Sequence, residues 1–159
     1  MRPLGILLAA AIVVTTAAPA RADVTAFLGA NTTPANRVGT GVAVGLGLLV
    51  VGLEFEYSSS REDQAADAPA LRTGMGNVLL QTPGAIFGFQ PYLTIGAGLY
   101  RETMGGTSDT GFGLNTGGGV KIALAGPLRL RLDYRVFTLG DDARATPAHR
   151  VYAGLNLGF

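Results

Sequence analysis

The 159-residue chain contains no cysteine and no tryptophan, one histidine (His149) and one lysine (Lys121). Without cysteine there are no disulfides, no thiolate metal site and no lipid anchor on a cysteine. The segment 42–53 (VAVGLGLLVVGL) is too short for the ~20 residues that a membrane-spanning helix requires. It also carries glycine at 45, 47 and 52 and runs straight into EFEY. Charge is sparse and balanced. With Arg2 and Arg21 set aside, ten basic residues stand against eleven acidic ones, which leaves no footprint for nucleic acid.

Glycine, by contrast, is abundant, with 24 residues, and most of it sits inside alternating apolar segments. That placement points to strands with one crowded face. The amino terminus reads separately. Arg2 is followed by the apolar stretch 4–14 and by Ala20-Arg21-Ala22, a small-x-small pattern. These are the parts of an export signal. Residues 1–22 are therefore expected to be a signal peptide and 23–159 a single domain; a cut after Ala20 is the alternative.

Eight alternating segments follow, at 24–30, 38–45, 48–58, 71–81, 89–101, 111–123, 128–138 and 150–159. Most have the ~9–11 residues of a tilted membrane strand. The connections alternate in kind. Residues 31–37 (NTTPANR), 59–70 (SSREDQAADAPA), 102–110 (ETMGGTSDT) and 139–149 (LGDDARATPAH) are polar and long. The intervening turns at 46–47, 82–88 (TPGAIFG) and 125–127 (AGP) are shorter and mostly carry Gly or Pro. Long loops on one rim and short turns on the other fit an eight-stranded antiparallel up-and-down transmembrane β-barrel, with both chain ends in the periplasm.

The last strand fixes the facing. In HRVYAGLNLGF, residues Val151, Ala153, Leu155, Leu157 and Phe159 share one face, and Arg150, Tyr152, Gly154, Asn156 and Gly158 the other. Apolar residues outside and small or polar residues inside suit a wall between lipid and a polar lumen. The same parity turns Leu49, Val51, Leu53, Phe55 and Tyr57 to lipid and Val50, Gly52, Glu54, Glu56 and Ser58 inward. It turns Leu130, Leu132 and Tyr134 outward and Arg129, Arg131, Asp133 and Arg135 inward. The fourth strand reads less cleanly, because placing Arg72 inside leaves Asn77 facing lipid. The first strand is compatible with either Phe27 or Leu28 inside.

Residues 117–135 (GGGVKIALAGPLRLRLDYR) and the terminal Leu-Gly-Phe resemble the final hairpins of small OmpA/OmpX-type outer-membrane β-barrel domains. Tyr152-x-Gly154-x-x-Leu157-x-Phe159 resembles that family's carboxy-terminal insertion signal, with Leu157 where an aromatic often stands. The resemblance is strongest over 89–159. It implies residence among outer-membrane lipid in a Gram-negative-type bacterium, and assembly by the barrel-assembly machinery, as a monomer. Much longer relatives carry a periplasmic peptidoglycan-binding domain, a role not carried over to these residues.

Within such a barrel the third and seventh strands lie across the lumen from each other. Arg131 and Arg135 are expected to reach Glu54 or Glu56, with Arg72 and Asp133 completing a charge network. If the AGP turn pairs Leu124 with Leu128, Gly117 falls opposite Arg135, Gly119 opposite Asp133 and Lys121 opposite Arg131. The last is a like-charge pair that needs a carboxylate or water nearby. A plug of paired charges is the favoured reading, and a narrow porin-like channel the alternative.

Catalysis finds little support. Small lipid-A deacylases carry His and Ser two apart on one strand, whereas the residue two after His149 is Val151. Asp141-Asp142 and Glu62, Asp63 and Asp67 match no defined calcium loop. Gly111-Phe112-Gly113 does not open a helix, so it is no nucleotide loop. The expectation is a non-enzymatic envelope protein without cofactor or metal. A soluble lipocalin-like carrier is the competitor and would need the opposite facing.

Overall fold

Period-two alternation commits each segment to a strand whose two faces meet different solvents. The computed structural model describes residues 20–141 and 143–159. The apolar leader segment and Asp142 lie outside them. Eight strands, β1 (Ala20–Asn31), β2 (Arg37–Leu48), β3 (Val51–Ser60), β4 (Ala70–Gln81), β5 (Phe89–Met104), β6 (Thr107–Ala125), β7 (Leu128–Thr138) and β8 (Ala148–Gly158), follow one another around the ring. Each pairs antiparallel with its chain neighbours, and β8 closes on β1 to complete an up-and-down barrel. Closure leaves no unpaired edge, as a strand wall in lipid demands. Ala20-Arg21-Ala22, the expected cleavage pattern, forms the start of β1, where Ala22 and Phe159 exchange two 2.9 Å backbone hydrogen bonds.

Facing follows parity around most of the ring. Leu53, Phe55, Leu93, Ile95, Leu99, Phe112, Leu114, Leu155 and Leu157 are all exposed on the outer wall. The first strand resolves with Phe27 inside, stacked on Tyr152 at 4.0 Å between centroids, and Leu28 outside.

The fourth strand corrects the expectation for Arg72. Leu71, Thr73, Met75, Asn77 and Leu79 point inward, so Arg72 points outward and is exposed. The cause is hydrogen bonding. Asn77 inside donates to Glu54 Oε1 at 3.3 Å and accepts from Asn115 Nδ2 at 2.9 Å. Facing lipid, its amide would have no partner. Arg72 lies near the outer end of its strand, where a long side chain reaches the polar boundary.

Two connections also differ. The turn between β2 and β3 is at Leu49-Val50 rather than 46–47, which removes Leu49 and Val50 from the third strand. Alternation lapses at Leu48-Leu49-Val50-Val51, four large apolar residues in a row, and so cannot fix the register through the turn. Room inside the barrel fixes it instead, by setting Gly45 opposite Glu54 and Ala43 opposite Glu56. The long loop expected at 102–110 is instead a hairpin extension that ends in Gly105-Gly106, both at positive φ. Two such residues make the tight turn whose twist matches paired strands.

The β6–β7 hairpin has the anticipated lumen register: Gly117 opposite Arg135, Gly119 opposite Asp133 and Lys121 opposite Arg131. The turn itself pairs Ala125 with Leu128, and a register shift between Ala123 and Ala125 reconciles the two. A Cβ on Gly119 would lie 2.2 Å from the Leu132 carbonyl oxygen and 2.4 Å from the Tyr92 hydroxyl. Around Gly74, on the outer wall, nothing lies within 4 Å of such a carbon. Gly119→Ala is expected to cost about 1–3 kcal/mol through overpacking, whereas Gly74→Ala leaves stability unchanged. Equilibrium urea unfolding of the two variants in lipid vesicles measures the contrast.

Candidate functional site: the charged lumen

A small barrel has an interior just wide enough for side chains to fill. Here three carboxylates and three guanidiniums meet at mid-height. Arg131 pairs with Glu54 and, at 3.2 Å, with Asp133. Arg135 reaches Glu54 at 2.8 Å, Glu56 at 3.1 Å and Asp133 at 3.0 Å. Arg150 pairs with Glu56. The side chains of Arg131 and Arg135 are 0% exposed. The layer is formally neutral, which is what makes its burial tolerable.

Neutral groups supply the remaining hydrogen bonds. The Tyr92 hydroxyl donates to Asp133 and accepts from Arg131 Nε at 2.7 Å. The Tyr152 hydroxyl donates to Asp133 at 3.2 Å. Arg150 Nη1 donates to Ser58 Oγ at 2.7 Å, and Ser58 shares a 2.7 Å hydrogen bond with Thr73. Asn156 donates to Thr25 Oγ1 at 2.8 Å. The Arg150 guanidinium lies over the Phe27, Phe137 and Tyr152 rings at 5.1, 4.8 and 5.3 Å from their centroids, and the faces of such rings attract cations. Arg135 Nη1 and Glu56 Oε2 are in ion-pair contact but poorly aligned for a hydrogen bond.

Of the six residues expected in the network, Glu54, Glu56, Arg131, Asp133 and Arg135 converge; Arg72 stands outside the barrel. Arg150, Tyr92 and Tyr152 were not foreseen as members. Parity carried the signal for Arg150, which stands on the inward face of the last strand. The like-charge juxtaposition of Lys121 and Arg131 is relieved by divergence. Lys121 Nζ turns to Asp23 at 2.6 Å, while Arg131 turns to Glu54.

The lumen differs above and below this layer. Toward the periplasmic end, a cavity of about 90 Å³ is lined by Asp23, Gln81, Gln90, Lys121 and Arg129 among others. A separate cavity beside Glu54, lined also by Asp23, Gly45, Leu79 and Lys121, holds only about 10 Å³. That is at the limit for a single water. Toward the opposite rim, Leu71, Met75, Tyr100, Phe137, Leu139 and Ala148 form an apolar cluster. Leu139 belongs to it and Ala143 packs against it, Ala145 is buried, and the Arg144 amide donates to Glu102 Oε2 at 2.9 Å.

The remaining candidates lie apart from one another. His149 Nδ1 shares a 2.7 Å hydrogen bond with the Tyr134 hydroxyl on the outer rim. Asp63 accepts from the amides of Ala65 and Ala66, Glu62 accepts from Gln64, and Asp67 pairs with Arg144 at 3.7 Å. The residues of the expected insertion signal divide between faces: Tyr152 and Gly154 look inward, Leu157 and Phe159 outward.

Residues 6–159 match the outer membrane protein beta-barrel domain family. This chain belongs to that family. No curated protein matches the barrel in sequence. The N-terminal β-barrel domain of Pseudomonas aeruginosa OprF is similar in fold. It is 16% identical with a TM-score of 0.68 over 87% of this chain and 97% of that one. Neisserial surface protein A (NspA) is 18% identical with a TM-score of 0.66, over 88% and 96%. A major outer membrane protein from Thermus thermophilus is 14% identical with a TM-score of 0.64, over 89% and 100%. At these identities the likeness is one of fold. Membership places the barrel in an outer membrane, its apolar wall in lipid.

Glu56→Ala removes the shared partner of Arg135 and Arg150. Breaking a buried pair in this way costs about 3–5 kcal/mol. The double variant Glu56→Leu/Arg150→Leu is expected to lose less than the sum of its single changes, because neither strands a charge. Urea midpoints and heat-modifiable gel migration report both effects.

Proposed function

We propose that this protein is a closed, non-enzymatic barrel with a structural or surface-interaction role in the envelope. It holds the outer membrane at its wall and presents its loops outside. One observation carries this reading: the neutral layer of three carboxylates and three arginines, which joins β3, β7 and β8 across the axis. The apolar cluster, with Ala143 packed against it, lies over it as a second obstruction. A channel needs sites that ions enter and leave easily, and these charges are already satisfied by one another.

In this reading the chain is exported by its leader. The barrel-assembly machinery recognises Tyr152, Gly154, Leu157 and Phe159, and the mature protein is a monomer in outer-membrane lipid of a Gram-negative-type bacterium. Against catalysis stands His149, whose Nδ1 is engaged by the phenolic Tyr134 hydroxyl where a triad histidine has an orienting carboxylate.

The second reading, a small porin, draws on the polar periplasmic cavity. Planar-bilayer recording separates the two. The wild-type barrel is expected to give no steady conductance, and Glu56→Ala to introduce open events. Sustained wild-type steps at neutral pH would replace the closed reading with the porin.

A further inference from the structure

Arg72 and Arg101 are the anomaly of the outer wall. The other strand-borne arginines and lysine, Arg21, Arg37, Lys121, Arg129, Arg131, Arg135 and Arg150, face the lumen or its mouth. Arg72 and Arg101 face outward on β4 and β5, exposed and opposite one another in register. Directly opposed like charges repel across a strand pair. Among the described residues neither has a hydrogen bond or an ion pair to answer that repulsion. Their outward row runs Thr40, Ser59, Arg72, Arg101, Thr110, with hydroxyls on either side and no carboxylate.

The row beneath it runs Val42, Tyr57, Gly74, Leu99, Phe112. The arginines therefore stand where the apolar band ends, at the level of lipid head groups. Directly below Arg72 two successive outward positions of β4, Gly74 and Gly76, carry no side chain, before Val78 and Leu80 resume the apolar wall. A Cβ on Gly74 would meet nothing within 4 Å, and one on Gly76 only the Ala97 carbonyl oxygen at 3.8 Å. Phe55 and Tyr57 of β3 flank this furrow on one side and Ala97 and Leu99 of β5 on the other. Its lower part opens into a lipid-facing cavity of about 470 Å³ lined by Leu53, Phe55, Gly76 and Val78 among others.

We propose that this face binds one phosphate-bearing lipid of the surrounding leaflet, with Arg72 and Arg101 sharing the phosphate and the Gly74–Gly76 furrow seating an acyl chain. A phosphate turns the repulsive pair into an attractive triad. Guanidinium forks match phosphate oxygens in geometry as well as charge. Ser59 and Thr110 add hydroxyls beside the head group. A free anion would answer the charge but not fill the furrow, so the occupant is a lipid. The site is independent of whether the lumen conducts.

Native mass spectrometry of the purified mature barrel in detergent, titrated with lipid A (a diphosphorylated, acylated glucosamine lipid), tests the site without regard to membrane orientation. One retained lipid per barrel is expected. Arg72→Gln/Arg101→Gln lowers affinity by about tenfold or more, from the loss of charge-assisted hydrogen bonds. Gly76→Leu lowers affinity as well, with wild-type heat-modifiable migration showing that the fold is intact. Lipid A stripped of its phosphates binds wild type no better than intact lipid A binds the double variant. Equal binding by wild type and the double variant overturns the proposal, as does equal binding of the dephosphorylated lipid. Displacement by millimolar inorganic phosphate, or an unaltered affinity in Gly76→Leu, removes the lipid as occupant and overturns it too.

Discussion

The neutral carboxylate–guanidinium layer is the constraint on which the rest of the interior depends. Each of its ions would cost several kcal/mol to bury alone. Burial is tolerable only if every charge finds its partners at once, so the layer fixes geometry as well as charge. Glu54 and Glu56 on β3 must stand level with Arg131, Asp133 and Arg135 on β7 and with Arg150 on β8. A slip of one residue in any of these strands would turn its charges to lipid. A slip of two would carry them to another level. Pairing across the axis thus specifies register in a fold whose outer face, greasy all round, specifies it poorly.

Long polar side chains in a narrow cylinder need empty wall beside them. Gly45 and Ala43 lie beside Glu54 and Glu56, and Gly117 and Gly119 beside Arg135 and Asp133. The abundance of glycine is therefore a packing requirement of the ionic layer. A Cβ on Gly117 would lie 2.2 Å from the Tyr134 carbonyl oxygen, so the wall there has no slack. β4 contributes the complementary solution. Its inward Leu71, Met75 and Leu79 are apolar and need no partners, so this strand fills the lumen without adding charge.

Strand number, order and most facings were legible in the sequence because lipid and lumen impose opposite demands on neighbouring residues. The β6–β7 register was legible because AGP is a short turn between two strong alternations. The β2–β3 turn was not. Small and large residues alternate from Val42 to Leu48, but Leu48-Leu49-Val50-Val51 are four large residues in a row that mark neither turn nor face, and the lumen space that decides the register belongs to the folded barrel. Arg72 misled for a different reason. Charge marks the inward face at mid-strand, but near a strand end the polar boundary of the membrane offers a second place for it. In β4 the telling residue was Asn77, whose short amide cannot reach that boundary. Residues 102–110 read as a loop by composition, whereas Gly105-Gly106 is also a hairpin turn.

The same residue type thus has two roles on either side of one wall. Inside, the arginines are matched by carboxylates, shielded by tyrosine and phenylalanine rings, and committed to one another. Outside, Arg72 and Arg101 are matched by no carboxylate among the described residues, and like charges placed directly opposite lower the stability of a strand pair. A barrel optimised for stability alone would separate them or insert an acid, as its own lumen does. That they stand together, at the head-group level and above a furrow of glycines, makes sense when the missing counter-charge comes from the membrane. With the lumen occupied by its own side chains, the surfaces left for recognition are the rims and the outer wall, and on the wall the chemistry concentrates at this pair.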